Sequence, residues 1–434
     1  MEKASGSRWH PWQVLTEGRR LRLPAVLRDE PQYRLLFGSQ VLSILGDRVT
    51  MVALPFAVLS IGGDVGDVAY VSAAQFLPFV VLALPAGVWA DRLDRKTILI
   101  ASDLVRMACQ IVAAVLLLGG GATVPALVAI AAVYGAADAF FAPAFSGLLP
   151  TTVSPGNLQP ANALRGLSFS FGSVAGPVIA GLLIAFAGGP GGALAFDAFT
   201  FVFSIGLLLP LKSRVVEQAM HEEDPAATTD HFWASLKGGW QEVRSRSWVL
   251  GFLTSISVYH LAVLPAIFVI GPVLMDRELD GANSWAVVVA CFGAGAIVGD
   301  LIFMRWQPAY ALRVGALLMM GASCQAAFIG SGLGTWGIGA LEFLAGICVT
   351  GTFTLWETSL GEHIPSGALS RVSSYDYLSS SGVIPLGNLL AGAASVAFGI
   401  HATLIAMTVI GIGVSAGVAA LPSVRSLPRG SQSA

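Results

Sequence analysis

Apolar residues in this chain come in long unbroken runs, not in the short alternating or amphipathic patterns of water-soluble elements. Twelve runs stand out: Leu35 to Ile61, Val68 to Ala90, Thr97 to Leu118, Val124 to Leu149, Ala161 to Gly188, Gly192 to Leu211, Trp248 to Met275, Ser284 to Trp306, Ala309 to Gly330, Thr335 to Glu357, Val372 to Phe398 and His401 to Leu421. A helix needs about 20 mostly apolar residues to cross the hydrocarbon core, because lipid offers no partners for backbone N–H and C=O groups. The pattern therefore predicts an all-α integral membrane protein with twelve transmembrane helices. Composition agrees: of 434 residues, 55% are hydrophobic and 12% charged, and mean hydropathy is +0.74.

The polar segments divide the runs. Residues 1–34 form a basic tail, 35–211 a first six-helix bundle, 212–247 a linker, 248–421 a second six-helix bundle, and 422–434 a short tail. Within the linker, Phe232 to Val243 reads either as an interfacial helix or as a solvated connector. The tail is too polar for a secretory signal, so the first run is expected to stay in the mature chain. The halves also resemble repeats, since "GPVIAG" starting at Gly176 returns as "GNLLAG" starting at Gly387. Parallel six-helix repeats with a site between them at mid-membrane are one architecture of secondary transporters.

Charge sets the expected orientation. Of 24 lysines and arginines, Arg277 alone falls in a loop on the side opposite the termini, and Arg48, Arg106 and Arg165 lie within spans. The remainder share the side of the termini, which predicts cytoplasmic N and C termini. Arg19, Arg20 and Arg22, with Trp9 and Trp12, read as a contact with anionic lipid of the bilayer, not nucleic acid. Cys109, Cys291, Cys324 and Cys348 all lie in apolar runs, where cysteine behaves as a small hydrophobe, and imply no disulfide framework.

Two segments carry a family resemblance. "GVWADRLDRK" (87–96) resembles the signature of the loop between the second and third helices of the major facilitator superfamily, through Gly87, Asp91, Arg92, Arg95 and Lys96; Asp94 stands where the general pattern has glycine. "GSVAGPVIAG" (172–181) is similar to that family's antiporter signature through Gly172, Gly176, Pro177, Ala180 and Gly181. Glycines four apart let helices approach closely in lipid, and an internal proline bends a helix. "FSGLLPTTVSPGNLQPANAL" (145–164) and the "DRLDRK" form resemble the branch that exports enterobactin and macrolides. The resemblance implies two rocking bundles of the superfamily fold, and a gate in which Asp91 meets the positive N-terminus of the eleventh helix. Packing by small residues and a loop that only sets topology are the plainer readings of the two segments. Drug–proton antiporters of the superfamily often carry an arginine in the fourth helix, whereas this chain has Asp138.

Charges at mid-depth are costly, about 2.5–3.5 kcal/mol each on insertion scales, and mark function by default. By distance from the span ends, Asp47, Arg48, Arg106, Asp138 and His260 lie near the middle and Glu342 at intermediate depth. Arg165, Asp197, Asp300, Arg313 and Asp376 lie nearer an end. On a helical projection Ser39, Ser43, Gly46, Asp47 and Thr50 form one polar stripe, while Arg48 points about 100° from Asp47. This predicts cavity-lining Ser39, Ser43 and Thr50, and an Arg48 that seeks an acid on another helix. The resemblance puts Asp47 and Asp138 in the cavity as proton-coupling candidates; a static cluster of the two acids with Arg48 and Arg106 is the alternative. His260 and Glu342 are further cavity candidates, Glu342 for a cationic substrate.

The expected function is proton-coupled efflux of small amphipathic compounds, such as an antibiotic, siderophore or other secondary metabolite. Import, including lipid or lysophospholipid transport, is the alternative within the fold. A membrane-embedded enzyme is remote, for there is no H-E-x-x-H pair, no G-x-S-x-G elbow, and the six histidines are scattered. The lack of a nucleotide-cradling G-x-x-x-x-G-K-[ST] loop favours proton coupling as the energy source. The expected partners are a small-molecule substrate, protons and the lipid bilayer. No cofactor or metal is expected, and the chain is expected to be a monomer.

Overall fold

In a computed structural model, residues 24–212 and 238–430 are described, except for the side chains of residues 83, 84, 87, 88, 90–92, 366, 367 and 370. The basic tail and most of the linker, with the expectations placed on them, lie outside the described residues. Among the described residues twelve helices are long and apolar enough to span a membrane. We number them α1 (Pro31–Ser60), α2 (Val65–Arg92), α3 (Arg95–Leu118), α4 (Val124–Thr152), α5 (Leu158–Phe186), α6 (Gly189–Leu208), α7 (Ser247–Glu278), α8 (Gly281–Arg305), α9 (Ala311–Ile329), α10 (Thr335–His363), α11 (Arg371–Phe398) and α12 (Ile400–Ala420). Of the expected interfacial helix, residues 238–243 are described and helical, in a stretch that continues to 245, with Trp240 against Tyr375.

Local chemistry sets the helix ends. Asp64 caps α2 by accepting from the backbone N–H groups of Gly66 and Asp67, and the Asp67 carboxylate accepts in return from the Asp64 N–H, the reciprocal box that satisfies orphan donors. Asp94 caps α3 by accepting from the Thr97 backbone N–H at 3.0 Å. In α7 the ladder widens to π-helical turns over Tyr259–Val263 and Ala266–Ile270, on either side of Pro265. Proline donates no N–H, so the turns around it rearrange.

Within the first six helices α1 packs along α6, α2 along α4, and α3 against both α4 and α6; in the second six, α8 packs along α10, and α9 along α10 and α12. The two sets meet through α5 against α8 and α2 against α11. Small residues make both seams. A Cβ on Gly293 would press on the Ser173 backbone, one on Gly181 would meet the Ala286 methyl, and one on Gly392 would strike Ala69. Asn388 of α11 donates to the Ser72 hydroxyl of α2 at 2.9 Å. These contacts run from mid-depth to the end remote from the termini.

Candidate functional site

Arg106, on α3, is fully buried and organises the first half. Its guanidinium donates to Asp103 Oδ1 at 2.6 Å, to Asp138 Oδ1 at 3.1 Å, to both oxygens of Asp47 at 3.4 Å, and to the Ser43 hydroxyl at 3.3 Å. Its charged carbon lies 4.6 Å from the ring centres of both Phe141 and Phe201. Aromatic faces attract a desolvated cation, and the planar guanidinium suits them better than an ammonium. The acids are held as well. Ser204 donates to Asp103 Oδ2 at 2.6 Å, and Tyr134 donates to Asp47 Oδ1 at 2.5 Å.

Exposure separates the three acids. Asp103 and Arg106 have no exposed side-chain area, while Asp47 and Asp138 are 36% and 39% exposed. Both open on a cavity of about 340 Å³ between α1, α2, α4, α5 and α7. Its walls mix those carboxylates and Arg48 with Ile44, Met51, Phe76, Phe169 and Phe268, so it offers polar anchors within an apolar surface.

A second buried acid adjoins this cluster. Asp197, near the middle of α6, accepts from Thr50 at 2.7 Å and from Gln110 at 2.6 Å, both on Oδ2. The Thr200 hydroxyl lies 2.8 Å from the Asp197 backbone carbonyl and 3.3 Å from Oδ1. Gly46 allows this approach, since a Cβ there would overlap the Asp197 carboxylate.

The structure corrects several expectations. Ser39, Ser43 and Thr50 are buried and do not line the cavity. Ser43 and Thr50 turn toward α3 and α6, where Ser43 accepts from Arg106 and Thr50 donates to Asp197, while Ser39 bonds to the Leu36 carbonyl of its own helix. Arg48 does not join the cluster and, among the described residues, has no ion-pair partner. Its head lines the cavity and approaches the Met51 sulfur at 3.9 Å, while its stem packs on Gly176. Glu342 is wholly buried in the second half and so does not line the cavity either. His260 puts Nδ1 2.9 Å from the Ile256 carbonyl and its ring against Phe353, the arrangement of a hydrogen-bonded core histidine.

The antiporter-like segment has a packing role on two sides. Gly172 and Gly176 face Ile44 and Arg48 of α1, and Gly181 faces α8, while Pro177 and Ala180 are buried between them. "GAIVG" of α8 packs elsewhere, with Gly295 and Gly299 against Phe343 and Ile347 of α10. In the loop motif, Arg95 donates to the Gly147 carbonyl at 2.8 Å, and Lys96 to the Leu209 and Leu211 carbonyls at 2.7 and 2.9 Å. The carbonyls at the end of α6 carry partial negative charge and attract the Lys96 cation. The side chains of Gly87, Asp91 and Arg92 lie outside the described residues. Asp94 is where the loop departs from the family pattern. Hydrogen bonds from the Thr97 hydroxyl and amide hold its carboxyl below the usual range.

Sequence reasoning missed Asp103, Gln110, Tyr134 and the central place of Asp197. A signal existed for α3: Asp103, Arg106 and Gln110 recur at i, i+3 and i+7, one face of a helix. Beyond Thr200, nothing in the sequence of α6 points to Asp197's partners, since Thr50 and Gln110 come from α1 and α3.

The sequence profile of the Major Facilitator Superfamily matches residues 36–384. The multidrug efflux pump Tap of Mycolicibacterium fortuitum is 26% identical over 407 residues, spanning 88% of this chain and 93% of that protein. The enterobactin exporter EntS of Shigella flexneri is 28% identical over 333 residues, spanning 75% of this chain and 74% of the exporter. Among solved structures, a bacterial homologue of the iron transporter ferroportin in an inward-facing state aligns with a TM-score of 0.67 at 16% identity, covering 92% of this chain and all of that one.

Proposed function

The chain belongs to the Major Facilitator Superfamily, and from that premise we propose that it is a proton-coupled exporter of small amphipathic compounds, such as an antibiotic, a siderophore or another secondary metabolite. It is a multi-pass cell-membrane transporter. Export is favoured because the Tap and EntS relatives are an efflux pump and an exporter. The basic residues on the side of the termini support a cytoplasmic placement of both ends. With that placement, contacts between the halves at the remote end fit an inward-facing state, from which the halves rock about the central site.

One observation carries the coupling: Asp47 and Asp138 share the single guanidinium of Arg106 and also face the cavity. With Asp103 bound to the same group, three carboxylates share the Arg106 guanidinium, and Arg48 in the cavity wall is the other nearby cation, so acids outnumber bases. Additional positive charge, from a proton or a basic substrate, relieves that imbalance. A proton on either cavity acid releases Arg106 toward the other, and a protonated substrate amine that pairs with the carboxylates replaces the proton, which leaves to water. Substrate and proton thus compete for one site, as antiport requires.

The test is transport in everted membrane vesicles energised by a pH gradient, over a panel of amphipathic compounds. Asp47→Asn or Asp138→Asn, folded and inserted, should lose gradient-driven accumulation at least tenfold while keeping substrate exchange without a gradient. Full gradient-driven transport in both variants would remove these acids as coupling groups. If cells with the protein accumulate more compound than cells without it, the reading is import instead.

A further inference from the structure

Glu342 lies apart from the aspartate cluster, in the middle of the second six-helix unit, and its side chain is wholly buried. Gln325 of α9 donates from Nε2 to Glu342 Oε2 at 2.8 Å. Tyr259 of α7 donates to Gln325 Oε1, also at 2.8 Å, which fixes the amide so that its N–H must face the acid. The other carboxyl oxygen, Oε1, is buried and has no hydrogen-bond partner among the described residues. Among those residues Glu342 also has no ion-pair partner. The titratable groups facing this pocket are Tyr259 from α7 and Cys348 from α10 itself, with Cys324 of α9 beside Cys348.

An ionised carboxylate in that setting would set a full charge against one neutral amide N–H, with one oxygen bare. Burying a charge without a counter-ion is among the most costly arrangements a protein interior can hold. The first half solves the same problem with Arg106. Among the described residues the second half holds no equivalent cation at Glu342, and the smallest group that neutralises it is a proton.

We propose that Glu342 is a proton-binding site of the second six-helix unit, separate from the aspartates around Arg106, and that it takes its proton as a neutral carboxylic acid held by Gln325. Loss of that proton makes the carboxylate demand more donors, and the Gln325 amide that already holds it links it to the Tyr259 hydroxyl. Tyr259 opens the first π-helical stretch of α7, so protonation of Glu342 bears directly on the widened turns beside Pro265. The protonation chemistry stands by itself; its part in coupling rests on the proton-driven reading above.

Infrared difference spectroscopy between high and low pH, on the protein reconstituted in phosphatidylcholine vesicles, tests this without a substrate. A carboxylic C=O band that shifts in deuterated buffer should be present in the parent and in Asp47→Asn, Asp138→Asn and Asp197→Asn, and absent in Glu342→Gln. Tyr259→Phe should keep that band but shift its frequency, because Gln325 loses its anchor. A Glu342→Gln protein with parental helicity and melting that retains every carboxylic band overturns the proposal. If Glu342→Gln does not fold, Glu342→Asp should shift the band, and an unmoved band overturns the proposal equally. The reading above fails by different results: full gradient-driven transport in the Asp47 and Asp138 variants removes those acids as coupling groups, and greater accumulation in cells with the protein overturns export.

Discussion

Arg106 is the residue on which the first half depends most. Its charge is enclosed by three carboxylates and two aromatic faces, so removing it leaves the buried Asp103 without a counter-ion and takes theirs from Asp47 and Asp138. Arg106→Gln is expected to cost about 3–5 kcal/mol of stability, the usual penalty for breaking a buried pair from one side. Arg106→Lys should recover only part, since an ammonium cannot fill the same flat slot between Phe141 and Phe201. Thermal unfolding of the purified protein measures both. Asp94 gives a milder case: its cap on α3 should be worth roughly 0.5–2 kcal/mol against Asp94→Ala. Because hydrogen bonds lower its folded pKa, that stabilisation is present above the unfolded value and is lost as pH falls through the folded one. The difference in melting temperature between parent and Asp94→Ala should therefore shrink on acidification. A constant difference would show that the charge of the cap is irrelevant.

At the scale of elements, close helix approach is what the glycine motif provides. Gly176 has the Arg48 stem against it, and Gly172 has Ile44. Gly176→Val would have to push α5 off α1, with an expected loss of about 1–3 kcal/mol typical of overpacking. It would also shift the cavity wall that carries Arg48, so substrate exchange should slow as well. Gly166, which has open space around the position of a Cβ, is the control, and Gly166→Ala should change neither. In α7 the widened turns flank Pro265, and Pro265→Ala should let regular helix reform. Reduced turnover with retained substrate binding is the expected signature of a stiffened α7.

For the whole molecule, the seam between halves makes the clearest prediction. Ser72 and Asn388 touch across α2 and α11 at the remote end. Cysteines at both positions should cross-link under oxidation, stop transport, and release it on reduction, if that end opens in the cycle. Cross-linked protein that still transports would mean that the remote seam never parts.

The fold was largely legible because lipid imposes one severe rule: backbone groups must be paired within each helix, so long apolar runs mark spans with little ambiguity. The site was legible only in outline. Asp47, Asp138 and Arg106 announced themselves as charges in apolar runs, yet Asp103 and Gln110 were overlooked on the same helix. Asp197 lay hidden because the boundary of its run was misplaced by a few residues.

Sequence by itself determined the class, the twelve spans, the expected side of the termini and the identity of the costly charges, since each depends on local composition. Tertiary structure alone decided which charges meet. A buried charge chooses its partner by distance, and partners on other helices, such as Asp47, Asp138 and Arg106, are brought together by packing. The same packing turned the polar stripe of α1 inward, left Arg48 at the cavity, and isolated Glu342 with a single amide.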